Sequence, residues 1–170
     1  MNAFKSINLF LLAGVAGMEL FSGIVVAVAV AVFYPPLSLG GAAVTDSFGS
    51  GLIMGQIFYK LAFVSLGVSV FNAIYELVAL KLNYTNLEKI LKILLVLLNL
   101  ALSLLFVFYY TQPMLDIQAE ILQGSQGLEV LVSEDFKSLH AKSELCVKVL
   151  LISQVILYFL SFKSAKKEYN

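Results

Sequence analysis

Four long apolar runs, separated by short polar or small-residue segments, set the pattern of this chain. Residues 8–34 carry one charge, Glu19. Residues 51–82 carry Lys60, Asn72 and Glu76, while residues 87–111 and 143–163 are apolar but for a few isolated polar positions such as Asn99, Lys148 and Gln154. At 1.5 Å of rise per residue each run is long enough, as a helix, to cross a hydrocarbon core about 30 Å thick. The alternating Ala-Val stretch in the first run would suit a strand in water, but a lone strand cannot satisfy its backbone in lipid, so helix is expected there too. Pro35 and Pro36 should stop it, because neither donates an amide hydrogen and Pro35 disfavours helical geometry at Tyr34. The run is also too long for the 7–15-residue apolar core of a signal peptide, so it is expected to be retained.

Residues 133–162 contain no Gly or Pro and pass from polar to almost wholly apolar. As one helix they would extend about 45 Å, longer than the hydrocarbon core is thick. The first part must therefore stand in the headgroup layer or in water, with Phe136, His140 and Glu144 along one side. Before it, Pro113 should kink the third helix or end its membrane part. Gln112, Asp116 and Glu120 then fall at i, i+4 and i+8 on one polar stripe, with Leu115, Ile117 and Ile121 on the other side. Residues 123–127, with two glycines, break that helix, and Ser133 followed by Glu134 and Asp135 reads as an N-cap with first-turn acids. Helices three and four thus extend as a hairpin, residues 112–142, beyond one face of the membrane.

The expected fold is an all-α membrane protein: one integral domain, residues 1–170, built as a four-transmembrane-helix bundle. Residues 37–50 form a small-residue loop. Residues 81–89 form a polar turn whose Asn83-Tyr84-Thr85 matches a glycosylation acceptor only by chance if it faces the cytoplasm. Gly51-x-x-x-Gly55 allows close approach of two backbones, and packing within the chain is favoured over dimerisation.

Composition agrees with the pattern. Sixty per cent of residues are hydrophobic and 13% charged, at a mean hydropathy of +0.92, where a soluble domain carries about 25% charged residues. The 11 lysines balance 11 acidic residues, which argues against a nucleic-acid partner. Membrane lipid, a second copy or a larger membrane complex are the partners expected instead. The single cysteine, Cys146, has no internal disulfide partner and reads as a small buried hydrophobe. A single histidine with no Cys pair argues against a permanent zinc or copper site, so no metal and no cofactor are expected. There is no HExxH, no CxxC, no phosphate-binding Gly loop and no recognisable Ser-His-Asp context, so an enzyme is not expected either.

Lysines also set an orientation. Lys5, Lys81, Lys89, Lys92, Lys163, Lys166 and Lys167 lie on one side of the four spans and Lys137 and Lys142 on the other. By the positive-inside rule both termini and the middle turn are cytoplasmic, the first loop and the hairpin face outward, and the expected home is the inner membrane.

Charges inside the spans are the candidate chemistry, since each costs about 2.5–3.5 kcal/mol on insertion scales and tends to face the bundle interior or to snorkel. Glu19 lies far from either end of its span, where it serves either as a functional carboxylate or as a structural hydrogen-bond partner of Asn99 or Gln154. Lys60 and Lys148 sit nearer the outer interface, where snorkelling suffices, and Glu76 is expected to be solvated at the cytoplasmic end. His140, Glu144 and Lys148 share a helix face at i, i+4 and i+8. Tyr59 and Lys60 enter at similar depth, and together with Asp116 the set would form an outward polar pocket. Proton relay or anion coordination is the chemistry such a pocket suits better than metal binding, and the plainer reading is that His140 holds a loop carbonyl and fixes the hairpin.

Several features occur in an order that resembles a known group. They are Gly14, Gly17 and Gly23 before Phe33-Tyr34-Pro35; Gly51 and Gly55 followed by Phe58; Pro113 after the third span; and Phe136-x-x-Leu139-His140-x-x-Ser143. The chain is thereby similar to small four-helix membrane proteins like transmembrane protein 205, and more distantly to copper-resistance D-type membrane proteins. Members carry Arg directly after the histidine, whereas this chain has Ala141 and then Lys142. The resemblance implies a four-helix bundle and no established activity, with metal or drug efflux suggested for relatives.

Two function classes follow. One is small-solute, metal or drug handling of a transport type; the other is an accessory or scaffold subunit of a larger envelope complex. Four spans are few for a transporter, which usually needs repeats or an oligomer to enclose a path. The lysine bias generates a direct expectation: in a variant with Cys146 replaced, a cysteine at position 140 should react with a membrane-impermeant maleimide from the side opposite to cysteines placed at the chain ends. Labelling of all three from one side would reverse the assignment.

Overall fold

The computed structural model describes residues 3–26, 38–39, 42–43, 46–79 and 86–167. Helix α1 spans Ala3–Phe21 and continues through a π-helical turn, Ser22–Val26. A two-residue antiparallel pairing follows, β1 (Ser38–Leu39) with β2 (Ala42–Ala43), in the register Ser38 to Ala43 and Leu39 to Ala42. Helix α2 runs from Asp46 to Ala79. Helix α3, Asn86–Leu104, passes through a second π turn, Leu105–Thr111, into α4, Gln112–Leu122. A 3-10 turn, Leu128–Val132, leads to α5, Glu134–Lys167.

The segments long and apolar enough to cross a bilayer are Ala3–Val26, Gly51–Ala79, Asn86–Leu122 and Glu134–Lys163. All four expected spans are therefore present, and the protein is a multi-pass all-α membrane bundle. Two boundaries move. Helix α2 starts at Asp46 rather than near Gly51, and the third span runs on past residue 111. The stop at Pro35-Pro36 and the turn holding Asn83 and Thr85 lie outside the described residues.

Helix α1 packs against α2 and α5, and α3 packs against the same two, which closes a ring of four with α1 across from α3. The inward faces repeat at helical spacing. On α1 they are Lys5, Asn8, Leu12, Val15, Ala16, Glu19 and Ser22, and on α3 they are Lys92, Leu95, Val96, Asn99 and Ser103. Among the described residues 17 polar or charged side chains are buried against 14 hydrophobic ones, the reverse of a water-soluble core. Large apolar side chains point outward instead, among them Phe10 and Phe21 on α1, Leu77 and Val78 on α2, Leu94 on α3 and Phe159 on α5. Such an inside-out distribution suits a bilayer, where the tails, not the core, take up the apolar surface.

Pro113 leaves a carbonyl of the preceding turn without its usual donor, and the π turn just before it accommodates that loss. Thr111 donates its hydroxyl to the Phe106 carbonyl at 2.7 Å, so a side chain serves a backbone group that no water reaches. The helix thus continues rather than ending there. At its far end Gly124, with φ of 75°, takes the left-handed geometry of a C-terminal cap. The Ser125 amide donates to the Glu120 carbonyl and the Gly124 amide to that of Ile121, the paired bonds of a Schellman motif. Ser133 opens α5 as expected: its hydroxyl oxygen accepts from the Phe136 amide at 3.2 Å.

The expectation for Glu76 is overturned. Glu76 is not solvated; it is buried, accepting from Lys92 Nζ at 3.5 Å and from Ser161 Oγ at 3.3 Å. The reason is azimuth: Ser65, Ser69, Asn72 and Glu76 fall at intervals of four, three and four on one inward stripe of α2. Removing one member of a buried ion pair leaves an uncompensated charge, so Lys92→Met is expected to cost roughly 3–5 kcal/mol in detergent unfolding. The double variant Lys92→Met, Glu76→Gln should recover part of it, and a double-variant loss equal to the sum of the two single losses would show that the pair is not coupled.

Candidate functional site

Glu19 is the deepest of the candidate residues and is only 4% exposed. Its Oε1 accepts from Ser65 Oγ at 2.8 Å and from Gln154 Nε2 at 3.3 Å, while Gln154 Nε2 also reaches Ser65 Oγ at 3.1 Å. Three spans, α1, α2 and α5, are thereby tied at one point. Of the two structural partners weighed for Glu19, Gln154 is realised. Asn99 is not; both of its side-chain polar atoms are buried without a hydrogen-bond partner among the described residues. Glu19 Oε2 is likewise buried and unpartnered.

Above this triangle opens a cavity of about 770 Å³, lined by residues from all four spans. Helix α1 contributes Glu19 and Leu20; its π turn adds Gly23 and Ile24. Helix α2 contributes Gly51, Met54, Gly55 and Phe58, and the third span contributes Phe106, Thr111, Met114, Leu115 and Gln118. Helix α5 supplies one long wall from Phe136 through His140, Ser143, Glu144, Val147 and Lys148 to Leu151, a rise of about 22 Å. The walls are mainly apolar and aromatic, with few polar groups, the usual make-up of a small-molecule site.

The mouth is set by α5. Its lipid-facing apolar residues begin at Leu145 and end at Phe162, so His140 stands roughly 7 Å beyond that belt. His140 Nε2 lies 3.4 Å from Glu144 Oε1, and Lys148 Nζ donates to Glu144 Oε2 at 3.0 Å. All three side chains are more than half exposed, so the carboxylate is shared in solvent and each pair is a weak contact. At this point of the hairpin Ser143 Oγ donates to the His140 carbonyl at 2.8 Å, while the imidazole lies against Glu144.

Gly51 and Gly55 do serve packing within the chain. Gln118 Nε2 donates to the Gly51 carbonyl at 3.3 Å, and a Cβ on Gly55 would stand 2.8 Å from Gln118 Oε1. The pair lets α4 lie against the start of α2.

The structure therefore brings Glu19, His140, Glu144 and Lys148 to one cavity. Tyr59, Lys60 and Asp116 do not join them. Tyr59 packs edge-on against Phe63, with ring centroids 5.0 Å apart. Lys60 is exposed on a shallow groove between the outer sides of α1 and α2, beside Gly14 and Gly17. Asp116 is exposed and accepts from Gln112 Nε2 at 3.0 Å. Cys146 is buried with its thiol 3.5 Å from the Leu102 carbonyl, as its apolar context suggested. Ser65 and Gln118 were absent from the expected site, although the inward stripe of α2 marks Ser65 plainly. The cavity itself, set by side-chain volumes across four helices, had no sequence signal.

No match was found among curated proteins or among solved structures. A family model, described as a domain of unknown function (DUF4149), matches residues 10–123. That segment holds Glu19, Ser65, Gly51, Gly55 and the Glu76–Lys92 pair, and it ends before α5; it carries no link to transmembrane protein 205 or to the copper-resistance proteins. With about two thirds of its 170 residues under that model, the chain belongs to the family of the domain of unknown function DUF4149.

Proposed function

We propose that this protein is a small-solute handler of the transport type, in which the cavity receives the solute and Glu19 is the group that responds to it. The observation that carries this reading is a buried carboxylate, Glu19, with one oxygen unpartnered among the described residues, in the lining of a cavity to which all four spans contribute. An intramembrane carboxylate is costly, and ionisable groups at such positions are by default candidates for function.

Two further features support it. Four spans were expected to be few for a transporter, but here the four spans of a single chain together line one cavity. Beneath Glu19, small polar groups continue through the bundle: Ser69 and Ser103 share a hydrogen bond at 2.8 Å, Asn72 and Asn99 lie buried nearby in sequence register, and the Glu76–Lys92 pair follows. We also propose, from the lysine bias, that the cavity mouth faces outward in an inner membrane with both termini cytoplasmic.

Glu19→Gln keeps the shape and hydrogen-bonding capacity of the side chain while removing the charge. It is expected to abolish solute uptake or tolerance in cells at unchanged protein abundance, whereas His140→Ala, at the exposed mouth, should lower it only several-fold, about 1 kcal/mol or less. Wild-type behaviour of Glu19→Gln, with a fixed larger partner recovered in gentle detergent, would instead establish the accessory-subunit role.

A further inference from the structure

Resting on the reading of the cavity as a solute site, we infer the chemical class of what enters it: a monovalent lipophilic organic cation. Three properties of the cavity converge on that class.

The first is charge. Glu19 supplies an acceptor oxygen that no protein group occupies, while its other oxygen is held by Ser65 and Gln154. A positive group brought to the end of the cavity that Glu19 lines offsets the carboxylate's charge and leaves that triangle intact. An anion would meet the opposite arrangement. Lys148, the lysine lining the cavity, is already engaged by Glu144 at 3.0 Å, and His140 shares the same carboxylate.

The second is the walls. Phe58, Phe106 and Phe136 present rings that attract cations by their faces, and Met54 and Met114 are flexible, polarisable side chains that adapt to varied apolar shapes. A compact hydrated ion would have to shed its water against these groups for the sake of one carboxylate. Among the described residues no three His, Cys, Asp or Glu side chains come together to hold a metal ion, which sets a bare metal cation apart from the organic class. A cation whose charge is buried in an apolar body loses little hydration on entry and gains contact with every wall.

The third is size. About 770 Å³ falls within the roughly 300–1,000 Å³ typical of sites for small organic molecules. It is far more than an ammonium or metal ion needs.

The test uses the purified full-length protein in detergent and radiolabelled tetraphenylphosphonium, read by equilibrium dialysis. Saturable binding is expected, with affinity at least about tenfold lower in Glu19→Gln, a loss of about 1.4 kcal/mol. Triphenylphosphine oxide, neutral with a similar aryl body, and tetraphenylborate, an anion of like shape, should compete at least about tenfold less well. Met114→Trp, which adds bulk to the cavity wall and leaves the Glu19 side chain unchanged, should also weaken binding, and both variants should keep wild-type helicity and gel-filtration profile. No saturable binding, equal affinity in wild type and Glu19→Gln, or equal competition by tetraphenylborate would each overturn the cation class. Loss of binding in Met114→Trp alone would keep the cavity and overturn the role of charge. Glu19-dependent binding without tetraphenylphosphonium flux in proteoliposomes would uphold the ligand class and overturn transport.

Discussion

A carboxylate in the middle of a helical membrane bundle has to be solvated by protein. In this chain that requirement falls on Glu19, and it is met from two other spans by the Ser65 hydroxyl and the Gln154 amide. Each partner sits more than 40 residues away, so satisfying one oxygen fixes the relative depth and rotation of α1, α2 and α5 together. Unpaired, the group would bear the full desolvation cost of a buried charge or polar atom. Packing cannot relax away from this contact cheaply, because the same low-dielectric surroundings that make the lone carboxylate costly make its hydrogen bonds strong. Glu19 also lines the cavity, and site and scaffold are therefore one object.

The rest of the interior follows the same rule. With lipid tails as apolar as leucine, burying hydrophobic side chains gives little preference for one helix pairing over another. Specificity comes from polar contacts and close approach: Ser69 with Ser103, Ser161 and Lys92 on Glu76, Gln118 against Gly51 and Gly55. Two apolar clusters, one around Leu12, Leu95, Val96 and Leu157 and the other around Ala62, Phe106, Val107 and Cys146, fill the space between them. Polar layers set the register and the clusters fill it.

Much of this was readable from the residues. The four spans, the Ser133 cap and the break around Gly124 follow from local chemistry that tertiary structure does not override. Glu76 and the outlying site residues were harder, for a reason visible on α2. Depth along a helix can be counted from sequence, but which way a side chain points depends on how the helix is rotated against its neighbours. Gly51, Gly55, Phe58, Ala62, Ser65, Ser69, Asn72 and Glu76 recur every three or four residues and share one face; Tyr59 and Lys60 are at matching depth but about 100° and 200° around the axis. Assigning them to the pocket took height as proximity. Counting the stripe would have set Ser65 inside and Lys60 outside, though not revealed the volume enclosed.

The π turn at Leu105–Thr111 has a meaning for this architecture beyond Pro113. A π turn amounts to one surplus residue held within an otherwise regular α-helix, so the segment behaves as a phase shifter between the lower and upper halves of the third span. Excise that residue and every side chain beyond it would swing by about 100°. Gln118 would leave the Gly51 carbonyl and Leu115 would leave the cavity wall, while the half below, with Asn99 and Ser103, would keep its place. Length polymorphism at this one turn thus offers a route by which members of the family could re-dress the chamber's lining without rebuilding the bundle that carries it.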